Sequence, residues 1–88
     1  MTKEELLTKV KAHIAEEKAD AQAYYELAKA AKENGENRLA FTLSGICNQE
    51  IDHFDKITKC TMGAEMTNPV TEKDKEEMDF LRFKLARM

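Results

Sequence analysis

Residues 39–57 read LAFTLSGICNQEIDHFDKI. Within this stretch Leu39, Leu43, Ile46, Glu50, His53 and Ile57 follow one another in steps of 4, 3, 4, 3 and 4. That is the spacing of the inward seam of a helix packed in a bundle. Four members are apolar. Glu50 and His53 stand where the seam calls for apolar side chains, and being three apart they share one helix face.

The same pattern recurs upstream. Val10, Ile14, Glu17, Ala21, Tyr24 and Ala28 again step by 4, 3, 4, 3 and 4, and Glu17 is the one member that is neither apolar nor aromatic. Thr2 followed by Glu5 reads as a capping box at the start of this helix. Nothing breaks the helix before about Glu33, a length of roughly 45 Å at 1.5 Å per residue. Asn34-Gly35 is a stop and turn signal. Asn37 is placed to cap a second helix running to about Cys60, and so short a connection makes the pair an antiparallel hairpin. Glu17 lies 17 residues before the turn and Glu50 lies 15 after it, so Glu17, Glu50 and His53 are predicted to meet at one level.

Residues 1–60 are thus predicted to form the hairpin. Residues 61–70, TMGAEMTNPV, read as a linker with Gly63 and Asn68-Pro69. Residues 71–88 read as a short third helix over about 72–87, opened by Thr71 with Asp74 and carrying Met78, Leu81, Leu85 and Met88 at spacings of three and four. The run EKDKEE at its start reads as a solvated face. Whether this helix covers its own hairpin or crosses to a partner is not fixed by the pattern.

A bundle core does not accept ionised carboxylates without compensation, because burying one costs several kcal/mol unless something pairs with it. A divalent metal is the simplest partner for two carboxylates and an imidazole. One hairpin supplies two Glu and one His; two hairpins supply four Glu and two His. That inventory equals the carboxylate di-metal site of ferritin-like bundles, one Glu from each of two helices and Glu-x-x-His from each of the other two. The predicted fold class is therefore all-α: a ferritin-like helical hairpin plus a short third helix, its four-helix bundle completed by homodimerisation, for which two-fold symmetry is the common solution. Carboxylate plus imidazole suits iron, manganese and zinc alike. Without a metal, Glu50 and His53 would be an ordinary surface pair and Glu17 an exposed acid.

Composition agrees with a small helical domain: 88 residues, one proline, three glycines, 42% hydrophobic and 35% charged. A chain of this size gains from a partner or a metal. The net charge of −3 gives no basic surface for nucleic acid. No apolar run is long enough to cross a bilayer, and the start, Met-Thr-Lys-Glu-Glu, has no apolar stretch like a secretion signal. A cytoplasmic protein is expected. Cys47 and Cys60 lie thirteen apart. They form neither a rubredoxin-type iron site nor a thioredoxin motif, and a structural disulfide is not expected in the cytosol.

Glu17, Tyr24 seven further on, Ala28, the turn Ala31-Lys32-Glu33-Asn34-Gly35 and the string Asn48-Gln49-Glu50-Ile51-Asp52-His53 together resemble the rubrerythrin branch of the ferritin-like superfamily, over about residues 10–57. The resemblance implies a non-haem di-iron protein that reduces hydrogen peroxide or handles oxygen, with two iron ions per dimer. It implies that Glu17 and Glu50 are iron-ligating carboxylates, Glu50 bridging, with His53 a terminal ligand and Tyr24 hydrogen-bonded to a ligating carboxylate. A full-length member carries two such helix pairs and a C-terminal rubredoxin domain; these 88 residues hold one pair and no such domain. By that comparison this looks like a half-ferritin that dimerises, with assembly beyond the dimer left open and electrons drawn from a separate donor such as a rubredoxin. Two other functions share the same residues. One is a ferroxidase that handles iron for storage; the other is a non-enzymatic helical dimerisation module with a structural metal.

Asp20, one turn after Glu17, is either an extra carboxylate that moves on and off the metal, as the resemblance implies, or a solvated surface acid; the second reading is preferred. His13 could line a route for metal but reads first as a surface residue, as does Glu16. Cys47, one turn before Glu50, reads as a small apolar filler rather than a redox thiol. Tyr25 and Phe54 read as packing residues, Met62, Met66 and Met78 as linker or packing residues, and Cys60 has no assigned role.

Overall fold

The computed structural model describes residues 1–61 and 69–88, with the side chains of Cys60 and Thr61 left aside. It contains three helices: α1 over Lys3–Glu33, α2 over Asn37–Thr61 and α3 over Glu72–Ala86. Most of the predicted linker, including Met62, Gly63, Met66 and Asn68, lies outside the described residues.

Local chemistry sets the helix ends. The Thr2 hydroxyl accepts from Glu5 N at 3.1 Å, which satisfies one of the orphan donors at the start of α1. At its end Gly35 adopts φ +75°, a conformation without penalty only for a residue lacking Cβ. Gly35 N then donates to Lys32 O and Glu36 N to Ala31 O, the paired bonds of a Schellman closure. The chain re-enters helix at once. Asn37 proves to be the first helical residue rather than the cap: the Glu36 carbonyl accepts the first bond of α2, from Ala40 N at 2.9 Å. α3 opens with a complete capping box, Thr71 and Asp74 each bonding the other's backbone N–H.

α1 and α2 form the long antiparallel hairpin, and α3 covers one side of that same hairpin. The core contains Ile14, Ala21 and Tyr25 of α1, Cys47, Ile51 and Phe54 of α2, Val70, and Met78, Leu81 and Leu85 of α3. Ile51, Phe54, Met78 and Leu81 are at most 2% exposed; each contributes about 2 kcal/mol by leaving water. Leu81→Ala would cost about 2–5 kcal/mol through the cavity it leaves. Of the adjacent tyrosines it is Tyr25 that is buried, as its packing role requires, while Tyr24 is half-buried and packs against the edge of this core.

Polar contacts hold α3 in place. Lys18 Nζ lies 2.5 Å from Asp74 Oδ1 and 2.7 Å from Glu77 Oε2. Arg82 reaches Asp55 at 2.7 Å and Asp52 at 3.2 Å on α2, and Lys32 donates to the Met88 carbonyl. Lys84 Nζ sits over the Tyr25 ring, 4.7 Å from its centroid. α3 therefore runs in the direction of α1, from Lys18 towards Lys32. The run 72–77 is not simply a solvated face, since Asp74 and Glu77 are spent on Lys18.

Candidate metal centre

Glu17 is about 100° round α1 from Lys18. While Lys18 turns to α3, Glu17 turns to the open side of the hairpin. Antiparallel pairing brings Glu50 and His53 of α2 to the same level. One ligand atom from each of Glu17, Glu50 and His53 lies within 4.8 Å of the others. His53 Nδ1 is 3.8 Å from Glu17 Oε1, and the two side chains are 52% and 24% exposed. Among the described residues this is the one cluster of three such donors.

The electrostatics of the cluster are strained. Glu17 Oε2 is buried and has no hydrogen-bond partner, an arrangement that costs free energy until something satisfies it. Burial, the largest influence, pushes the Glu17 carboxyl above its ordinary value; His53 pulls it down, Glu50 pushes it up, and His13 and Asp20 act more weakly in those same two senses. A bound divalent cation would reverse the balance, because it supplies the charge that burial denies and an oxygen-seeking centre for the orphaned Oε2. The donor set of two carboxylates and one imidazole fits iron, manganese or zinc.

The other residues singled out in the sequence stand apart from this cluster. Asp20 is exposed on the next turn, adds to the upward push on Glu17, and is not one of the three residues whose ligand atoms converge. His13 is on the surface beside Glu16, 3.7 Å away. Tyr24, two turns along α1 from Glu17, is half-buried on the same side; its hydroxyl makes no hydrogen bond to Glu17 or Glu50 among the described residues. Cys47 is fully buried and its thiol donates to the Ala21 carbonyl at 3.3 Å. Burial raises its pKa, with Glu50 adding to the effect, so it is held as a thiol.

The open side that carries the cluster also carries apolar side chains. Leu39, Leu43 and Ile46 share the seam with Glu50 and His53, while Ile57 of the same seam packs against the core, and Leu6 lies on the Glu17 side of α1. Leu6, Leu27 and Leu39 are 43%, 54% and 51% exposed. Among the described residues no helix is long and apolar enough to cross a membrane. No family model, no curated protein and no solved structure matches this chain.

Proposed function

We propose that two copies pair through this open side, complete a four-helix bundle, and hold two metal ions, iron in the functional state, in a rubrerythrin-like site that reduces hydrogen peroxide or dioxygen. The carrying observation is the convergence of Glu17, Glu50 and His53, with one Glu17 oxygen buried and unpartnered. The apolar stripes around the cluster support the pairing. In one copy Leu6, Leu27 and Leu39 are exposed and Leu43 and Ile46 are partly buried, and a second copy brought face to face would cover them.

The chain's own residues have definite tasks in this reading. Glu17 and Glu50 hold the cations and balance their charge; His53 adds a neutral donor. The leucines and isoleucines above and below the acids exclude water from the site, which strengthens every charge interaction within it. With ferrous iron held there, the site would supply the two electrons by which one hydrogen peroxide and two protons become two waters, and a separate reductant would restore them. An iron-oxidising role uses the same side chains, with ferrous iron as the substrate.

The test is metal content and solution mass measured together, followed by anaerobic loading with ferrous iron and addition of peroxide. The expected result is about one metal per chain in a dimer, with stoichiometric peroxide consumption. Rapid turnover of added ferrous iron by oxygen would move the assignment to iron handling. A metal-bearing dimer inert to both oxidants would make the metal structural. A metal-free single chain would remove the proposal altogether.

A further inference from the structure

α3 is apolar on two opposite sides. Met78, Leu81 and Leu85 are buried against the hairpin, yet Phe80 and Phe83 face outward at 59% and 54% exposure. Two large aromatic side chains exposed side by side on one helix face mark a surface suited to packing against another. The two rings are already ordered on this surface: their centroids are 6.4 Å apart with planes at 17°, and the Arg87 guanidinium lies 5.0 Å from the Phe83 centroid.

The outward stripe has a seam of its own. Glu76, Phe80, Phe83 and Arg87 follow in steps of 4, 3 and 4, the spacing by which one helix packs along another. The stripe is also symmetric in sequence. Phe80 and Phe83 lie equally far on either side of the Leu81–Arg82 peptide bond, and so do Glu76 and Arg87. An antiparallel copy centred there sets Phe80 against Phe83 and Glu76 against Arg87, twice over by symmetry. A parallel copy would set glutamate on glutamate and arginine on arginine, so charge selects the antiparallel arrangement.

We propose that the outer face of α3 is a docking surface for the α3 of a second copy, antiparallel, with the four phenylalanine rings at its centre and a Glu76–Arg87 ion pair at each end. This surface is on the other side of the hairpin from the metal cluster. The two interfaces can therefore be occupied together, and metal-bridged dimers would join into tetramers or longer assemblies. Two short helices make an interface at the low end of specific ones, under about 1,200 Å² in total. On its own the pairing is expected to be no tighter than about 1 μM.

Sedimentation velocity on the full chain, over a wide concentration range with and without saturating Mn(II), tests this. The wild type is expected to pass beyond the dimer as concentration rises with metal present. Phe80→Glu with Phe83→Glu should stop at the dimer while keeping helicity and metal content. Glu76→Arg and Arg87→Glu should each weaken the higher association about five- to tenfold, the loss of about 1 kcal/mol. The double variant Glu76→Arg/Arg87→Glu should restore it to within about twofold, which general surface stickiness would not do. A wild type that forms the metal-dependent dimer and never exceeds it, one that stays a single chain with and without metal, or a double variant no better than the single ones, overturns the proposal. The metal reading fails separately: without a metal-dependent dimer, α3 pairing alone gives a metal-independent dimer that the phenylalanine variant returns to single chains.

Discussion

At the scale of single residues, Glu17 carries the most information because it is uncomfortable where it is. Its carboxyl is raised above its ordinary value, chiefly by burial. The folded apo chain therefore holds a proton that the unfolded chain has released, over the window from the ordinary glutamate value up to the raised one. Stability from this group is greatest below that window and falls as pH rises through it. Glu17→Gln removes the buried charge and should raise the apo melting temperature at pH 7 by a few degrees while flattening this part of the pH dependence; a lower melting temperature at neutral pH would contradict the strain inferred here. The same variant should lose metal. Glu50→Ala should lower metal content at least about tenfold, by analogy with the cost of disturbing even outer ligands, whereas Glu16→Ala, on the surface beside His13, should leave it unchanged. Equal losses from Glu16 and Glu50, read by elemental analysis after dialysis, would mean that the acids bind metal only diffusely. The three cluster residues were legible in the sequence because each interrupts an otherwise apolar seam. Tyr24 was less so. A step of seven keeps it on the Glu17 side, but spacing alone does not say whether its hydroxyl reaches a carboxylate.

Among the elements, α3 depends on few contacts, and those are partly ionic. Lys18 is raised from its ordinary pKa and Asp74 is lowered; burial opposes both shifts, and the mutual hydrogen bond, reinforced by Glu77 on Lys18 and by the Thr71 cap on Asp74, outweighs it. The signs follow directly. Asp74 contributes stability that is present above the ordinary aspartate value and is lost as pH falls through its lowered value. Lys18 contributes stability that is complete below the ordinary lysine value and is lost as pH rises through its raised one. α3 should thus stay docked across the neutral range and loosen only in strong acid or strong alkali. Lys18→Met should cost about 1 kcal/mol, and Asp74→Ala about 1–2 kcal/mol because it removes the cap as well as the ion pair. Hydrogen exchange should show the loss mainly in the α3 amides; uniform loss across α1 and α2 would mean that α3 is not a separable unit. The three helices themselves could be read from spacing, the Asn34-Gly35 stop and the Thr71 signal. The clamps could not. Lys18 and the run 72–77 look like ordinary solvated charge, and only the docking of α3 on its own hairpin shows which of those charges meet. The cap of α2 departs from its sequence signal for a related reason: the Schellman closure already turns the chain, so Glu36 takes the cap position and Asn37 begins the helix.

For the whole molecule, the sequence count of four glutamates and two histidines is a statement about two copies, while the fold of one copy accounts only for half of each number. What one copy does contribute is a hairpin with α3 on one side and, on the other, an acid cluster whose seams carry partly buried apolar side chains nearby and exposed leucines farther along. Bringing two such sides together without metal opposes the hydrophobic gain with four carboxylates at close range. Cations remove that opposition, so metal binding, pairing and folding should be linked. Binding at a hundredfold excess over the dissociation constant adds about 2.7 kcal/mol, and a domain of this size shifts by about 4–8 °C per kcal/mol. Saturating Mn(II) or Zn(II) should therefore raise the melting temperature by roughly 10–20 °C. The metal-bound melting temperature should climb with protein concentration, because pairing is part of the transition, and a chelator should abolish both effects. Scanning calorimetry of wild type and Glu50→Ala side by side separates specific from general binding: only the wild type should shift. If the two shift alike, the cations act elsewhere on an acidic surface. If the wild type shifts without any dependence on protein concentration, the three donors hold their metal within one copy and the second copy is not needed.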